Sequence, residues 1–421
     1  MTKHRSPKPP WRQHDLRSLV TGATLLASGG GGTYDSVKKL LDGFGSDYYK
    51  TDSVDVVSLD EAITGTEYAA VVAYIGAPEA IGAIEYPEAA VHAAEYLRDH
   101  LDEQGKRLGY LVPVEIGAVS SLVPCLVAAK LGLKVIDADG AKRAVPELPM
   151  LTFAMADIST NPTVLTNADG FSVTIDVAHR LGREHWWQKH HYMAEAVEKL
   201  TRPVLGLDAF EEAAGLGIWV MSPSELKKAV RLTDTLSLSR NIGRKILEEG
   251  PSASGLVSYL NEQCELETFQ IFSGRFQKGG VSLNTGGGFD VGRITLEDTR
   301  TREKAVVLYQ NESLIAWNDT KRSPIAMGPD SIAYYVADDQ KVYSNGDVVV
   351  DGDIAPSLLD KDVSLIGIAA DPILRGGEIE RLTVMENVLR PKDRSIFKSF
   401  RSVLQGMGYC GCYVPIEDIW K

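Results

Sequence analysis

Near residue 265 the chain changes its period, and that change constrains the fold more than any other feature of the sequence. Between residues 54 and 136, short runs rich in β-branched and apolar residues (54–58, 69–75, 108–114 and 134–136) alternate with longer stretches at 85–100 and 118–131. In those longer stretches the apolar residues recur at helical spacing. Strand, helix and strand in that order require right-handed crossovers and a parallel sheet. Residues 150–154 and 172–177 read as two further strands, 15–26 and 34–41 as a helical pair ahead of the sheet, and 190–264 as mostly helical. That last region includes an amphipathic run at 223–249, capped by Ser222 and stopped at Gly250 and Pro251.

Beyond residue 265 the pattern becomes short strands at 270–276, 291–296, 304–309, 332–336 and 348–350. Turn signals separate them: Gly279-Gly280, the glycines at 286–288, Asn345-Gly346 and Asp351-Gly352. The expected fold is therefore a mainly parallel α/β domain with a helical extension, followed by a β-rich domain. The boundaries read as a disordered leader at 1–12, the α/β domain at 13–264 and the β-rich domain at 265–421. No repeat or low-complexity linker intervenes, so the two domains are expected to pack closely.

A chain of 421 residues with 44% hydrophobic residues has ample material for two cores. Its net charge of -13 argues against a surface that tracks phosphates, so nucleic acid is not an expected partner. The basic, proline-containing start is not followed by the apolar core of a signal peptide. No run approaches the roughly 20 apolar residues of a membrane helix. Cys125, Cys264, Cys410 and Cys412 are too scattered for a disulfide framework, which fits a reducing, cytoplasmic setting.

In an open parallel sheet, ligands gather at the carboxyl ends of the strands. Here those ends carry Glu79 after the strand at 69–75, Glu115 after 108–114, and Asp137 and Asp139 after 134–136, with Arg143 and Glu147 close behind. Carboxylates crowded around one guanidinium need a proton, a cation or a metal, and separated pKa values equip them for acid and base work. The competing reading makes Asp137 and Asp139 turn caps and Glu115 a solvated loop residue.

Four glycines, Gly29, Gly30, Gly31 and Gly32, precede the helix beginning near Tyr34 and offer bare amides to an anion or oxyanion. The Lys-Ser/Thr of a phosphate loop is absent and no strand leads in, so nucleotide binding is the weakest reading. Cys410 and Cys412 would share one face of an extended strand, either to hold a metal or redox pair or simply as small residues. His185, His190 and His191 flank Trp186 and Trp187 in a segment that could be a lid or an interface. His179 is the better histidine candidate for metal or proton chemistry.

Five strings, taken together, resemble the S-methyl thiohydantoin desulfurase family: Leu26-Ala27-Ser28 with the four glycines, Pro113-Val114-Glu115-Ile116-Gly117, Val135-Ile136-Asp137-Ala138-Asp139-Gly140 with Arg143 and Pro146-Glu147-Leu148, Tyr309-Gln310-Asn311-Glu312, and Gly328-Pro329-Asp330. The resemblance runs from about Leu16 to Glu417 and implies an α/β domain followed by a β-rich one. It also implies a small cyclic amide or thioamide substrate of the hydantoin or thiohydantoin type, and the company of hydantoinase/oxoprolinase-type enzymes. The chain departs from the family pattern at Glu79 and Ala80 and in its Cys410-Gly411-Cys412 tail.

The expected activity is hydrolytic: water attacks C2 of the ring and sulfur leaves. Matching strings and strand-end positions assign Glu115, Asp137, Asp139 and Glu147 to catalysis. Glu79, Arg143, Asn311, Glu312, Asp330 and the glycine loop are assigned to substrate. No cofactor is certain; a hard divalent ion could sit on Asp137 and Asp139, and zinc would call for His179 or a cysteine as well. The alternative is a non-catalytic partner subunit of a hydantoinase-like enzyme, and a homo-oligomer is compatible with either. The site is expected between the domains, with Asn311, Glu312 or Asp330 facing the glycine loop, because a small polar ring needs walls from both.

Overall fold

The computed structural model describes residues 9–76, 78–156, 158–177, 186–284, 291–375 and 394–421. His179, His185 and the glycines at 286–288 lie outside the described residues, as do the side chains of Glu79, Trp186, Trp187, His190 and His191.

Seven strands form the first sheet: β1 (Val56–Val57), β2 (Tyr68–Gly76), β3 (Leu108–Val112), β4 (Lys134–Ile136), β5 (Thr163–Thr166), β6 (Ser172–Ile175) and β7 (Ala213–Met221). Their order is β1-β4-β3-β2-β7-β5-β6. The first four are parallel, and β7, β5 and β6 extend the sheet antiparallel. Four helices are central to this half: α1 (Gln13–Leu26), α2 (Tyr34–Gly43), α3 (Glu88–Asp102) and α4 (Ala118–Leu131). Helix α4 is the crossover between β3 and β4, so the residues just before it stand at the carboxyl edge of the parallel strands.

The second half is an eight-stranded antiparallel sheet: β8 (Thr268–Asn284), β9 (Val291–Glu297), β10 (Lys304–Gln310), β11 (Glu312–Asn318), β12 (Ser323–Met327), β13 (Ser331–Val336), β14 (Lys341–Tyr343) and β15 (Val363–Ile368). Its order is β12-β11-β10-β9-β8-β15-β13-β14. The α/β-plus-β architecture is thus present in the molecule. Neither half closes its core alone. Ala333, Tyr335 and Ile366 complete the apolar cluster around α1 and α4, while Leu314, Ile315 and Met327 complete the one around Phe153 and Trp219.

Several local expectations change. The strand expected at 150–154 is a pair of short helical turns, Leu148–Met150 and Thr152–Met155, because Pro149 fixes its φ and cannot donate to a ladder. The region expected to be mostly helical contains β7 in the centre of the first sheet. A Cβ at Gly215 would come 2.2 Å from the Ala89 carbonyl oxygen, so α3 lies directly on that strand.

Ser222 does cap a helix, Pro223–Ala229, through a capping box with Glu225. The run, which follows helix α5 (Trp186–Leu205), then breaks where Leu232–Thr233 pairs with Ala138–Asp139, and resumes directly as α6 (Thr235–Arg244). Gly279-Gly280 forms a bulge inside β8 and not a hairpin turn, and Asn345-Gly346 opens a four-residue helix. Trp11, expected in a leader, pairs with Val54 and is buried beneath Arg240.

Candidate functional site

The glycine run leaves the end of α1 in a conformation that ordinary side chains avoid: Gly29, Gly31 and Gly32 have φ of 80°, 70° and 94°. Both halves of the molecule fasten it. On the β-rich side, the Ser313 amide donates to the Ser28 carbonyl at 2.6 Å, the Ser28 hydroxyl donates to the Ser313 carbonyl at 2.8 Å, and the Asn345 amide donates to the Gly29 carbonyl at 2.8 Å. On the α/β side, the Val119 amide in the first turn of α4 donates to the Gly31 carbonyl at 2.9 Å. Among the described residues, the amides of Gly31 and Gly32 have no hydrogen-bond acceptor.

Glu312 lies against this loop, and Glu115 and Arg143 act on Glu312 electrostatically. Glu115, between β3 and α4, accepts from the Val145 amide at 2.7 Å and the Ser120 hydroxyl at 3.1 Å. Burial pushes its carboxyl up to about 8 against those hydrogen bonds, and Asp139 adds to the rise. Glu312, first residue of β11, is buried with its Oε1 against Gly30, where a Cβ would lie 2.1 Å away. Burial, and then Glu115, raise its carboxyl well above the ordinary range.

Arg143 is 2% exposed. Its Nε donates to the Ala144 carbonyl at 2.8 Å, and its Nη1 donates to the carbonyls of Pro329 and Asp330 at 2.5 and 3.0 Å. Its guanidinium faces the Phe400 ring at 5.3 Å. Burial lowers its pKa to about 10, opposed by Glu312, Asp330 and Glu115.

No carboxylate among the described residues comes within 4.0 Å of that guanidinium. Arg143 Nη2 and Glu312 Oε2 are both buried without a hydrogen-bond partner. One buried cation thus faces two buried acids at a distance, so at neutral pH at least one acid holds a proton. A fourth charged group, Glu198 on helix α5, also acts on Glu312. Glu198 is 9% exposed and accepts from the Leu148 amide at 3.2 Å and from Arg202 at 2.7 Å. Its spacing from Arg202 resembles an ordinary solvated helix pair, so the sequence carries no signal for it.

The remaining candidates are placed differently. Asp137 accepts from the amide and hydroxyl of Ser237 and so caps the first turn of α6. Asp139 accepts from the amides of Ala141 and Lys142 at 2.8 and 2.6 Å, its Oδ1 is buried without a partner, and burial raises it to about 6. Glu147 is half-buried beside Glu198, and burial followed by Glu198 raises it. It does not join the Arg143 group.

Asn311, at φ 57°, is an exposed hairpin residue whose carbonyl turns inward. Asp330 is fully buried and knits the carboxyl-terminal tail: it accepts from the Ala370 amide, Arg375, the Tyr413 hydroxyl and the Ile416 amide. Among the described residues no group of three or more His, Cys, Asp or Glu could hold a metal ion. Cys410 and Cys412 are exposed, and Cys412 borders a cavity of about 30 Å³ that Phe400 and Tyr413 also line. No described helix is long and apolar enough to cross a membrane.

A two-domain protein with a buried acid and arginine group between a glycine loop and an antiparallel sheet is the class these observations define. The chain belongs to the S-methyl thiohydantoin desulfurase-like family: residues 14–177 match its amino-terminal domain and 192–383 its carboxyl-terminal domain. The carboxyl-terminal match includes β7, which sits in the first sheet. The crystal structure of a protein from Chromobacterium violaceum, a structural genomics target, is similar at 35% identity and a TM-score of 0.82, covering 97% of this chain and 100% of that one. Among curated proteins none matches.

Proposed function

We propose that the protein is an enzyme that removes sulfur hydrolytically from C2 of a thiohydantoin-like ring. The observation that carries this reading is the Glu115, Arg143 and Glu312 group, supplied by both halves of the molecule with Arg143 Nη2 and Glu312 Oε2 unpartnered. A planar cyclic thioamide offers N–H and carbonyl groups that complement such orphaned atoms, which are costly to leave unmade.

Water adds to C2 as the ionised member of the Glu115/Glu312 pair takes its proton. The Arg143 guanidinium and the Gly31 and Gly32 amides stabilise the negative charge of the tetrahedral intermediate. The protonated member of the pair gives its proton to the sulfur as the C–S bond breaks, and the hydroxyl proton of the intermediate passes to the departing sulfide, or to the ring nitrogen where the sulfur was methylated, as C2 becomes a carbonyl. The products are the oxo ring and hydrogen sulfide, or methanethiol where the sulfur was methylated. Asp137, engaged at a helix terminus, has no part in this scheme. Four free cysteines suit a reducing, cytoplasmic setting.

The test is to incubate the purified protein alone with a panel of thiohydantoins, S-methyl thiohydantoins and hydantoins, following sulfide or thiol release. Release that is lost in Glu115→Gln and Glu312→Gln supports the reading; a silent panel overturns it. A second reading, a subunit that assists a hydantoinase-like enzyme, is favoured by the exposed Tyr192, Leu200 and Leu207 on and just after α5. Turnover appearing only when such an enzyme is added would select it.

A further inference from the structure

We propose that Asn345 is a positioning residue for the candidate site: its single side-chain amide and its backbone hold the hairpin that carries Glu312 and the glycine loop that Glu312 touches in one register. Asn345 is 3% exposed and lies outside both the strand-end rim and the family-matching strings. Its Nδ2 donates to the Asn311 carbonyl at 2.8 Å, and its Oδ1 accepts from the Ser313 hydroxyl at 3.1 Å and the Tyr334 hydroxyl at 3.0 Å. Its backbone amide donates to the Gly29 carbonyl at 2.8 Å.

These partners flank the acid on both sides in sequence. Asn311 alone turns the chain between Gln310 and Glu312, which pair across the hairpin, and it does so at φ 57°. A non-glycine residue in that conformation persists where its surroundings hold it. The hold here is the Asn345 amide on the Asn311 carbonyl, one residue before Glu312, together with the Ser313 hydroxyl, one residue after. The same amide group packs so closely on Gly29 that a Cβ there would lie 2.6 Å from Nδ2. Removing it loosens both surfaces of the Glu312–Gly30 contact at once.

This inference rests on Glu312 being part of the site, but its test requires no substrate. The charged groups that face Glu312 are Glu115 from the loop after β3, Arg143, and Glu198 from α5, so any movement of the hairpin changes its titration. The probe is carboxyl-carbon NMR of glutamate-labelled full-length protein, with the Glu312 signal assigned by its loss in Glu312→Gln. In Asn345→Ala, which adds no charge, the Glu312 midpoint should fall by about one pH unit or more as water reaches the carboxyl.

Tyr334→Phe removes one donor to Oδ1 and leaves the Asn311 link intact, so it should shift the midpoint in the same direction by less. An unmoved midpoint in a folded Asn345→Ala protein overturns the proposal. If that variant does not fold, an unmoved midpoint in Tyr334→Phe overturns it instead. A shifted midpoint in a protein that processes no thiohydantoin leaves Asn345 in its role and removes only the substrate reading.

Discussion

Glu312 Oε1 fills the space a side chain on Gly30 would need, since a Cβ there would lie 2.1 Å from it. Gly30 does not have a positive φ, so packing against the acid, and not backbone strain, excludes other residues at this position. Gly30→Ala should therefore displace Glu312 and lower turnover about 100-fold or more, the scale of lost acid-base catalysis. Gly406→Ala, where a Cβ meets nothing within 4 Å, is the matched control and should keep normal turnover and melting temperature. Equal activity in the two variants would remove Glu312 from the reaction.

The part of this arrangement that follows a local rule was legible in the chain. Glu115 stands where the end of a parallel strand feeds a crossover helix, and strand-end geometry alone points to it. Arg143 stood out because it follows the strand-end acids closely, and Glu312 because its surrounding string resembles a family. What was not legible depended on partners distant in sequence. Asp137 satisfies the same strand-end rule as Glu115, yet its acceptor capacity goes to Ser237, one hundred residues later. Glu198 has the spacing of a solvated ion pair and becomes buried only because α5 packs on the turn at Leu148–Met150. Strand β7 carries an apolar run with glycines at alternate positions, which neither helical nor strand periodicity decides.

Glu115 makes stability depend on pH. Its carboxyl is held up to about 8 in the folded protein against 4.5 for the ordinary side chain, so between those values the native state binds more protons than the unfolded chain. Stability then falls as pH rises through that window, by at most about 1.4 kcal/mol per pH unit for one group. Glu115→Gln stays neutral throughout and should flatten this slope. Denaturant titrations from about pH 5 to about pH 8 measure it, and identical slopes in both proteins would assign the dependence to other groups.

Asp137 should behave as a helix cap. Its carboxylate takes the Ser237 amide at 3.0 Å in the first turn of α6. Asp137→Ala should cost about 1–2 kcal/mol in thermal unfolding while turnover in the folded fraction changes little. A fall of about 100-fold with the melting temperature intact would return Asp137 to the chemistry that its strand-end position first indicated.

Cys410 and Cys412 are exposed, and no metal-holding group forms around them among the described residues. Replacing both with Ser should leave turnover and metal content unchanged. Loss of activity in the folded double variant would assign sulfur or metal chemistry to the tail.

Asp330 is the residue whose loss should be felt most in the fold. Its Oδ1 accepts from the Ala370 amide at 2.8 Å, Arg375 Nη2 at 2.7 Å and the Tyr413 hydroxyl at 3.0 Å, and its Oδ2 accepts from the Ile416 amide at 2.9 Å. These donors come from separate segments, and Glu417 shares Arg375, so one buried carboxylate ties the carboxyl-terminal tail to the start of β13. Breaking a buried, fully hydrogen-bonded ionic group by removing one partner costs about 3–5 kcal/mol. Asp330→Ala should lower the melting temperature by several degrees and expose the tail after Gly408 to limited proteolysis. The effect should reach Arg143, whose Nη1 rests on the carbonyls of Pro329 and Asp330, so turnover should fall as well. A tail that resists protease in Asp330→Ala, at an unchanged melting temperature, would show that the apolar contacts of Phe400 and Ile416 hold it without the carboxylate.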